Sequence, residues 1–328
     1  MKPVLILGGS GQAGAGTAAL LRQWHPELPL TIAGRDLGRA QRVADELGTA
    51  TATTTDLHSS DLGLPAGQDY SAVVALLRDD HFNGLRYAQD HGLPYYSISS
   101  GPMEIAPEVV AVAQRPSASP VVIASHFFAG TVALAALHSI RKFGRVDSIH
   151  IGAIQDEQDI GGPAALADLE RWATASSAGL VRRDGVFTWL AGNTPAEIRR
   201  IDGTTIAGQT VAGLDIPSLA FATGAANVQV DFAVSNDSDQ PPTEVRIDLE
   251  GTDPTGRPLR ATHFLIHQKG QRPLTALGIA LGVERLLGLR GGHVSPGIHT
   301  PESLIEPAYA VKRLLALGAD YDEASTHS

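Results

Sequence analysis

The stretch Val4-Leu5-Ile6-Leu7-Gly8-Gly9-Ser10-Gly11-Gln12-Ala13-Gly14 runs from an apolar segment directly into a glycine-rich turn. A helix-like segment follows at residues 15–24. Glycines 9, 11 and 14 match the Gly-x-Gly-x-x-Gly pattern, which has this meaning only between a strand and a helix. The stretch therefore predicts a dinucleotide site, and a tight strand-to-helix turn without a ligand is the alternative interpretation.

Each glycine of the pattern has a separate physical task. Gly9 lets the chain reverse sharply, Gly11 lets the backbone approach a pyrophosphate, and Gly14 lets the new helix pack on its strand. The first turn of a helix also offers unpaired N–H groups to an anion. We assign to coenzyme binding the residues of this turn: Gly9, Ser10, Gly11, Gln12 and Ala13.

A second strand at residues 30–33 ends in Gly34-Arg35-Asp36, about 20 residues beyond the last glycine, where this fold meets the adenosine ribose. Arg35 and Arg39 offer guanidinium groups suited to a 2′-phosphate. This pattern favours NADP(H) over NAD(H) as the cofactor. Asp36 keeps the alternative open, because a shift of one residue would place a carboxylate at the ribose hydroxyls.

Composition limits the other classes of function. The chain has 328 residues, 43% of them hydrophobic, which is enough for two globular domains. No apolar run approaches the roughly 20 residues that span a bilayer, and no basic leader is recognisable, so we expect a cytoplasmic protein with no membrane partner. The 328 residues include no cysteine, which excludes thiolate chemistry.

Charge and ligand spacing also exclude partners. The net charge is −10 and no basic cluster exceeds a dipeptide, so we predict no nucleic-acid partner and a small-molecule substrate. His263 and His267, like Asp79-Asp80-His81, lack the ligand set of a known metal motif, and we predict no metal site.

The first 127 residues alternate short apolar strands with amphipathic helices, which predicts a parallel sheet with helices on both faces: an α/β Rossmann domain. We predict strands at residues 3–7, 30–33, 50–54, 72–77, 95–98 and 120–124, and helices at residues 11–24, 37–47, 82–91 and 107–115. Ligands of such sheets bind beyond the carboxyl ends of the strands. Leu77, which ends the fourth strand, is therefore a further coenzyme candidate.

Residues 128–272 predict a second α+β domain for substrate binding or dimerisation. After a linking helix at 131–143 come a strand at 146–154, a helix at 163–176 and a hairpin, 245–249 with 259–266, around Asp253-Pro254-Thr255-Gly256. These segments indicate a mostly antiparallel sheet, with a homodimer as one option. We expect the C-terminal helices, at 273–287 and 301–317 within residues 273–328, to fold back on the first domain.

The order of these parts resembles the saccharopine dehydrogenase-like oxidoreductases. The resemblance rests on the N-terminal glycine loop, Gly34-Arg35, Thr55-Asp56-Leu57, Gly161-Gly162-Pro163-Ala164 and Gly297-Ile298-His299-Thr300-Pro301-Glu302. It implies a nicotinamide-dependent enzyme acting at a carbon that bears nitrogen, with Asp56 and Leu57 beside the adenine. The chain departs from the family at Tyr95-Tyr96-Ser97-Ile98-Ser99, where an aspartate is common, and at Phe128-Ala129-Gly130, where Pro-Gly is common.

Three residues are candidates for the chemistry. His126 directly follows the sixth strand, and an imidazole titrates near neutrality, which suits a proton donor; capping the strand is the alternative. Asp159, in a polar loop, is placed to hold a substrate amine or orient the proton donor, unless that loop is simply solvated. Ser99 faces the expected nicotinamide position, or serves a local turn.

These observations together predict an NADP-dependent oxidoreductase that transfers hydride at a C=N or C–N bond of a small metabolite. Two alternatives stay open. In the first, a protein of the same fold reduces a C=O or C=C bond, because the coenzyme site does not select the acceptor. In the second, the protein is a nucleotide-binding sensor or partner subunit without turnover.

Overall fold

The structure is a computed structural model that describes residues 1–98, 101, 105–159, 161–162, 166–168, 170–171, 178–237 and 239–323. Its strands are β1 Val4–Leu7, β2 Leu30–Gly34, β3 Ala50–Thr54, β4 Ala72–Ala75, β5 Tyr95–Ser97, β6 Pro120–Ile123, β7 Arg145–Asp156, β8 Leu180–Arg183, β9 Val186–Trp189, β10 Thr194–Arg199, β11 Thr205–Thr210, β12 Asn227–Ser235, β13 Thr243–Thr252, β14 Pro258–His267, β15 Gly297–His299 and β16 Asp320–Glu323. Its α-helices are α1 Gln12–Trp24, α2 Leu37–Leu47, α3 Asn83–Asp90, α4 Ile105–Ala113, α5 Thr131–Ser139, α6 Asp215–Thr223, α7 Arg272–Leu286, α8 Pro301–Leu304 and α9 Pro307–Ala316.

The first compact unit comprises Met1–Ser125 and Thr275–Ile305. Its sheet has the strand order β3-β2-β1-β4-β5-β6-β15, and every pair in it is parallel. The residues of β1, β4 and β6 are buried throughout, as both-face coverage of a parallel sheet requires. The chain order reverses at β1, which lies between β2 and β4, and such a switch point is where these sheets bind ligands. The predicted Rossmann domain is confirmed.

The seventh strand of this sheet was not predicted. Residues Gly297–His299 form β15, which pairs in parallel with β6. The strand has three residues, none of them buried, and its sequence lacks the apolar run that marked the other strands. Its place in the sheet depends on backbone hydrogen bonds to a distant segment, which no local pattern reports.

The second unit comprises His126–Leu274 and the segment that begins at Glu306. Its sheet follows the order β10-β11-β12-β7-β13-β14-β16, with β8 beside β12 and β9 beside β8. Only the β12–β7 pair is parallel among the pairs in the described residues. The prediction of a mostly antiparallel second sheet is confirmed.

The predicted hairpin of this unit is formed by β13 and β14. Its turn is stabilised by Asp253, whose carboxylate accepts hydrogen bonds from the backbone N–H groups of Thr255 (2.8 Å) and Arg257 (3.0 Å). Gly256 has a φ of +86°, which glycine adopts without strain. Most of the helix predicted at 163–176 falls outside the described residues.

The end of the chain differs from the prediction. Residues 275–305 belong to the first unit, but the segment from Glu306 joins the second, because β16 pairs with β14 and α9 contacts α5. The single helix predicted at 301–317 is two helices, since Ile305 is extended and Pro307 starts a new one. Among the described residues, every helix is too short or too polar to span a membrane.

Candidate functional site

The glycine turn between β1 and α1 reverses the chain through its own backbone. Gly8 has a φ of +79°, and the N–H groups of Gly8 and Gly9 both reach the Ala33 carbonyl of β2, at 2.9 and 3.2 Å. The Gly11 N–H donates to the Gly8 carbonyl at 2.9 Å. These bonds fix the turn at the carboxyl ends of β1 and β2.

Close backbone contacts in this turn exclude any side chain from two of its positions. A Cβ on Gly14 would lie 2.5 Å from the Gly8 carbonyl oxygen and 2.7 Å from the Gly9 Cα. A Cβ on Gly9 would lie 2.9 Å from the Ile6 carbonyl oxygen. Helix α1 therefore packs on the turn as closely as the Gly-x-Gly-x-x-Gly pattern predicts.

The N-terminus of α1 offers donors to an anion. Its N-cap is Gly11, and within the described chain no side chain caps the helix and no acidic residue lies in its first turn. The N–H groups of a first helical turn have no partner within the helix, and their dipole favours negative charge. A phosphate is the group that this arrangement fits best.

Arg35 and Asp36, which follow β2, differ in their contacts. The Asp36 side chain caps α2, with Oδ1 accepting the Arg39 N–H at 3.0 Å. Arg35 and Arg39 are exposed, and Gly34 lies beside the turn, since a Cβ there would be 3.1 Å from the Ser10 Oγ. The Asp36 carboxylate therefore has a structural role at the start of α2.

Leu77, Asp56 and Leu57 lie at the same edge of the first sheet. Leu77 contacts the glycine turn, because a Cβ on Gly8 would be 3.1 Å from its Cδ2. The Asp56 carboxylate is exposed and accepts the His58 N–H at 2.9 Å. The structure therefore brings the predicted coenzyme residues of β1, β2, β3 and β4 to one sheet edge, with Gln12 exposed and Ala13 half-buried in the first turn of α1.

His126 lies at the start of the second unit and is buried. Its Nε2 is 2.7 Å from the Ser218 Oγ, and the next residue, Phe127, donates its N–H to an Asp215 carboxylate oxygen at 2.9 Å. Both partners belong to α6. The turn that follows is left-handed, with φ values of 50° at Phe128 and 54° at Ala129, an uncommon conformation for residues with a Cβ. The imidazole is therefore firmly held by α6, and its role as a proton donor stays a prediction.

Asp159 is neither exposed nor in an ordinary solvated loop. Its carboxylate is buried, accepts the Arg272 Nε at 2.8 Å and also accepts the Gln271 N–H. These partners lie at the start of α7, so Asp159 anchors that helix. Its predicted contact with a substrate amine or a proton donor stays untested, and Ser99 lies outside the described residues.

An Asp159→Ala variant tests this structural role. We expect the free energy of unfolding to fall by about 1.5–3 kcal/mol, the range for hydrogen bonds to a charged group, since the partly exposed Arg272 remains solvated. Glu157→Ala, an exposed neighbour, should change stability little. Urea unfolding of both variants measures the difference, and equal stabilities would contradict the anchoring role.

Sequence reasoning missed two polar pairs. His58 and His81, 23 positions apart, have Nδ1 and Nε2 separated by 3.0 Å. His150 Nε2 is 2.5 Å from a carboxylate oxygen of the buried Asp231, whose hydrogen bond raises the pKa of the imidazole. Burial alone would raise the pKa of Asp231, but the hydrogen bonds that it accepts leave that pKa lowered. No local signal joins residues so distant in sequence.

Comparisons with known proteins give the fold. No curated protein and no protein-family model matches this sequence. The solved apo structure of a saccharopine dehydrogenase (L-Glu forming) from Saccharomyces cerevisiae is 14% identical, has a TM-score of 0.66, and the match covers 99% of this chain and 100% of that chain. A myo-inositol dehydrogenase from Corynebacterium glutamicum is also 14% identical, with a TM-score of 0.49 and 99% of each chain covered. The first match confirms the predicted resemblance at the level of the fold.

Proposed function

We propose that this protein is an NADP(H)-dependent oxidoreductase that transfers hydride at a C=N or C–N bond of a small metabolite. The observation that carries the proposal is the turn at β1 and α1, where glycines hold a helix N-terminus against the switch point of a parallel sheet. Arg35 and Arg39, on the neighbouring loop, add the positive charge that a 2′-phosphate requires.

Different residues would bind the different parts of this coenzyme. The backbone of the glycine turn and the first turn of α1 would bind the pyrophosphate. Arg35, Arg39 and Ser10 would hold the adenosine phosphate, and Asp56 and Leu57 would lie beside the adenine. A bound nicotinamide supplies the hydride donor or acceptor.

In this proposal His126 moves the proton that accompanies hydride transfer. Its position after β6 supports the assignment, because the carboxyl edge of a Rossmann sheet is the coenzyme edge. Asp159 and Ser99 are secondary candidates, as substrate or carboxamide contacts.

The bond type rests on two supports. The sequence resembles saccharopine dehydrogenase-like enzymes in its glycine loop and in Thr55-Asp56-Leu57, and the solved structure of the same fold bears that name. Reduction of C=O or C=C bonds by the same site is the nearest alternative. It predicts NADPH oxidation by a carbonyl or alkene compound with no amine present, whereas imine chemistry requires an amine together with a keto acid or aldehyde.

A non-catalytic nucleotide sensor is the second candidate function. The specific observation in its favour is that His126 and Asp159 are both buried and hydrogen-bonded within the second unit. A sensor would bind NADPH and oxidise it with none of the amine and carbonyl mixtures. The cytoplasmic location and the homodimer remain predictions from the sequence.

Exchange of Arg35 for alanine tests the coenzyme assignment. We expect the Kd for NADPH to rise about 5- to 30-fold, because a partly solvated charge-assisted contact is lost, while the Kd for NADH stays unchanged. Fluorescence titration of both coenzymes measures the two constants. Arg42→Ala, an exposed arginine of α2, the helix that follows Arg35, serves as the control. Equal shifts for both coenzymes would contradict recognition of the 2′-phosphate by Arg35.

A further inference from the structure

Two histidines join neighbouring loops at the coenzyme edge of the first unit. His58 lies in the loop after β3 and His81 in the loop after β4. His58 Nδ1 is 3.0 Å from His81 Nε2, and the rings meet edge to face with centroids 5.0 Å apart. None of the roles assigned above uses this pair.

The contact spans a long distance across the sheet. Strands β1 and β2 separate β4 from β3, and neighbouring strands lie about 4.8 Å apart, so the ends of β3 and β4 are roughly 14 Å apart. The two loops must extend beyond the ends of β1 and β2 to meet. A second contact joins them, from the Asn83 Nδ2 to the Leu57 carbonyl oxygen at 2.8 Å. We call these two hydrogen bonds the loop bridge.

Each loop is fixed from within. In the loop after β3, Asp56 donates its N–H to the Leu62 carbonyl at 2.9 Å and accepts the His58 N–H at 2.9 Å. In the loop after β4, the buried Asp79 carboxylate accepts the Gly84 N–H at 2.6 Å, and burial raises the pKa of Asp79. Both imidazoles are therefore presented on ordered turns.

An imidazole pair forms a hydrogen bond only if one ring keeps an acceptor nitrogen. The neutral and singly protonated pairs meet this condition, but two imidazolium rings have only donors and repel each other. Within three residues of either histidine, the ionisable side chains are Asp56, Asp61, Arg78, Asp79 and Asp80. Asp79 interacts electrostatically with His81. Arg78 and Asp80 pair with each other, and Asp79 is buried.

We propose that the loop bridge fixes the adenosine wall of the coenzyme site, so that the coenzyme binds more weakly when His58 and His81 are both protonated. The inference rests on the proposed function, which places Leu57 and Asp56 beside the adenine. Asn83 holds the Leu57 carbonyl, and the imidazole pair holds the adjacent residue, His58. The histidines act on the coenzyme through the loop and are positioning residues.

A double-mutant cycle at two pH values tests this inference in the full chain. We expect His58→Phe and His81→Phe each to raise the Kd for NADPH roughly three- to tenfold near pH 8, the worth of one net hydrogen bond, and the double variant to be no weaker than either. Wild-type affinity should fall further on acidification than that of the phenylalanine variants, because only the wild type has an imidazole pair to lose. The 2′-phosphate of NADPH titrates in the same way with the wild type and with every variant. The result is therefore the difference between the wild type and the variants in how the Kd changes with pH.

A rescue variant and a control sharpen the test. His81→Gln keeps a donor and an acceptor but does not titrate, so it should restore affinity near pH 8 and lose the extra sensitivity to acid. His293→Phe, at an exposed position of the same unit, should behave as wild type.

Additive losses in the double variant would overturn the inference, because independent contacts with the coenzyme add. A pH profile that is the same in wild type and variants would also overturn it. If the wild-type protein itself fails to bind NADPH at either pH, the proposed function fails, and this inference falls with it.

Discussion

Replacement of His126 by asparagine is expected to lower kcat about 10²- to 10⁴-fold, the usual contribution of a positioned general acid or base. The Kd for NADPH should stay unchanged, because the coenzyme residues belong to other elements. The assay is NADPH oxidation with the amine and carbonyl pair that supports turnover in the wild type. The pH dependence of kcat should also differ from that of the wild type, because the proposed proton donor is missing.

Ser218→Ala separates the imidazole from its support. This variant keeps the His126 ring and removes only the partner 2.7 Å from Nε2, so we expect a smaller loss of kcat together with a shifted pH profile. Circular dichroism and Tm check that both variants fold. Unchanged turnover and an unchanged pH profile in His126→Asn would remove the residue from the mechanism and favour Ser99 or Asp159.

Replacement of Gly14 by valine is expected to raise the Kd for NADPH by about 5- to 150-fold. A single Cβ at this position already lies 2.5 Å from the Gly8 carbonyl oxygen, and valine adds two further methyl groups. Overpacking of this kind costs about 1–3 kcal/mol or more, and the strain falls on the turn whose backbone would hold the pyrophosphate. We expect Tm to fall as well.

Gly292→Val is the matched control for this experiment. Gly292 belongs to the same unit, and a Cβ on it would have no described atom within 4 Å, so valine is accommodated without strain. Fluorescence titration with NADPH and with NADH gives both constants for each variant. A folded Gly14→Val protein with wild-type affinity would show that the turn does not hold the coenzyme.

The residues that the sequence placed correctly are those whose roles depend on near neighbours. The bounds of α2 and β3 were predicted at both ends, and the other strands and helices predicted within residues 1–127 differ by one or two residues at an end. In the turn from Gly8 to Gly14, the constraint arises within seven consecutive residues, so the pattern of glycines contains it. The alternation of buried strands and helices likewise decided the Rossmann architecture.

The candidate site was predictable only in part. Arg35 and Arg39 were assigned from their distance to the glycine loop, but the cap that Asp36 forms on α2 became visible only in the folded chain. Asp159 gave no sign in the sequence of its ion pair with Arg272, 113 positions away. A carboxylate in a polar loop has the same local sequence whether it faces solvent or anchors a helix.

The sequence by itself determined that this protein begins with a parallel α/β domain and a glycine turn built for a phosphate, because both follow from the periodicity and backbone freedom of adjacent residues. Tertiary structure alone decided that β15 completes the first sheet, that β16 joins the second, and that His58 meets His81. These contacts join segments distant along the chain through hydrogen bonds whose geometry exists only after folding. The local sequence therefore does not predict these contacts.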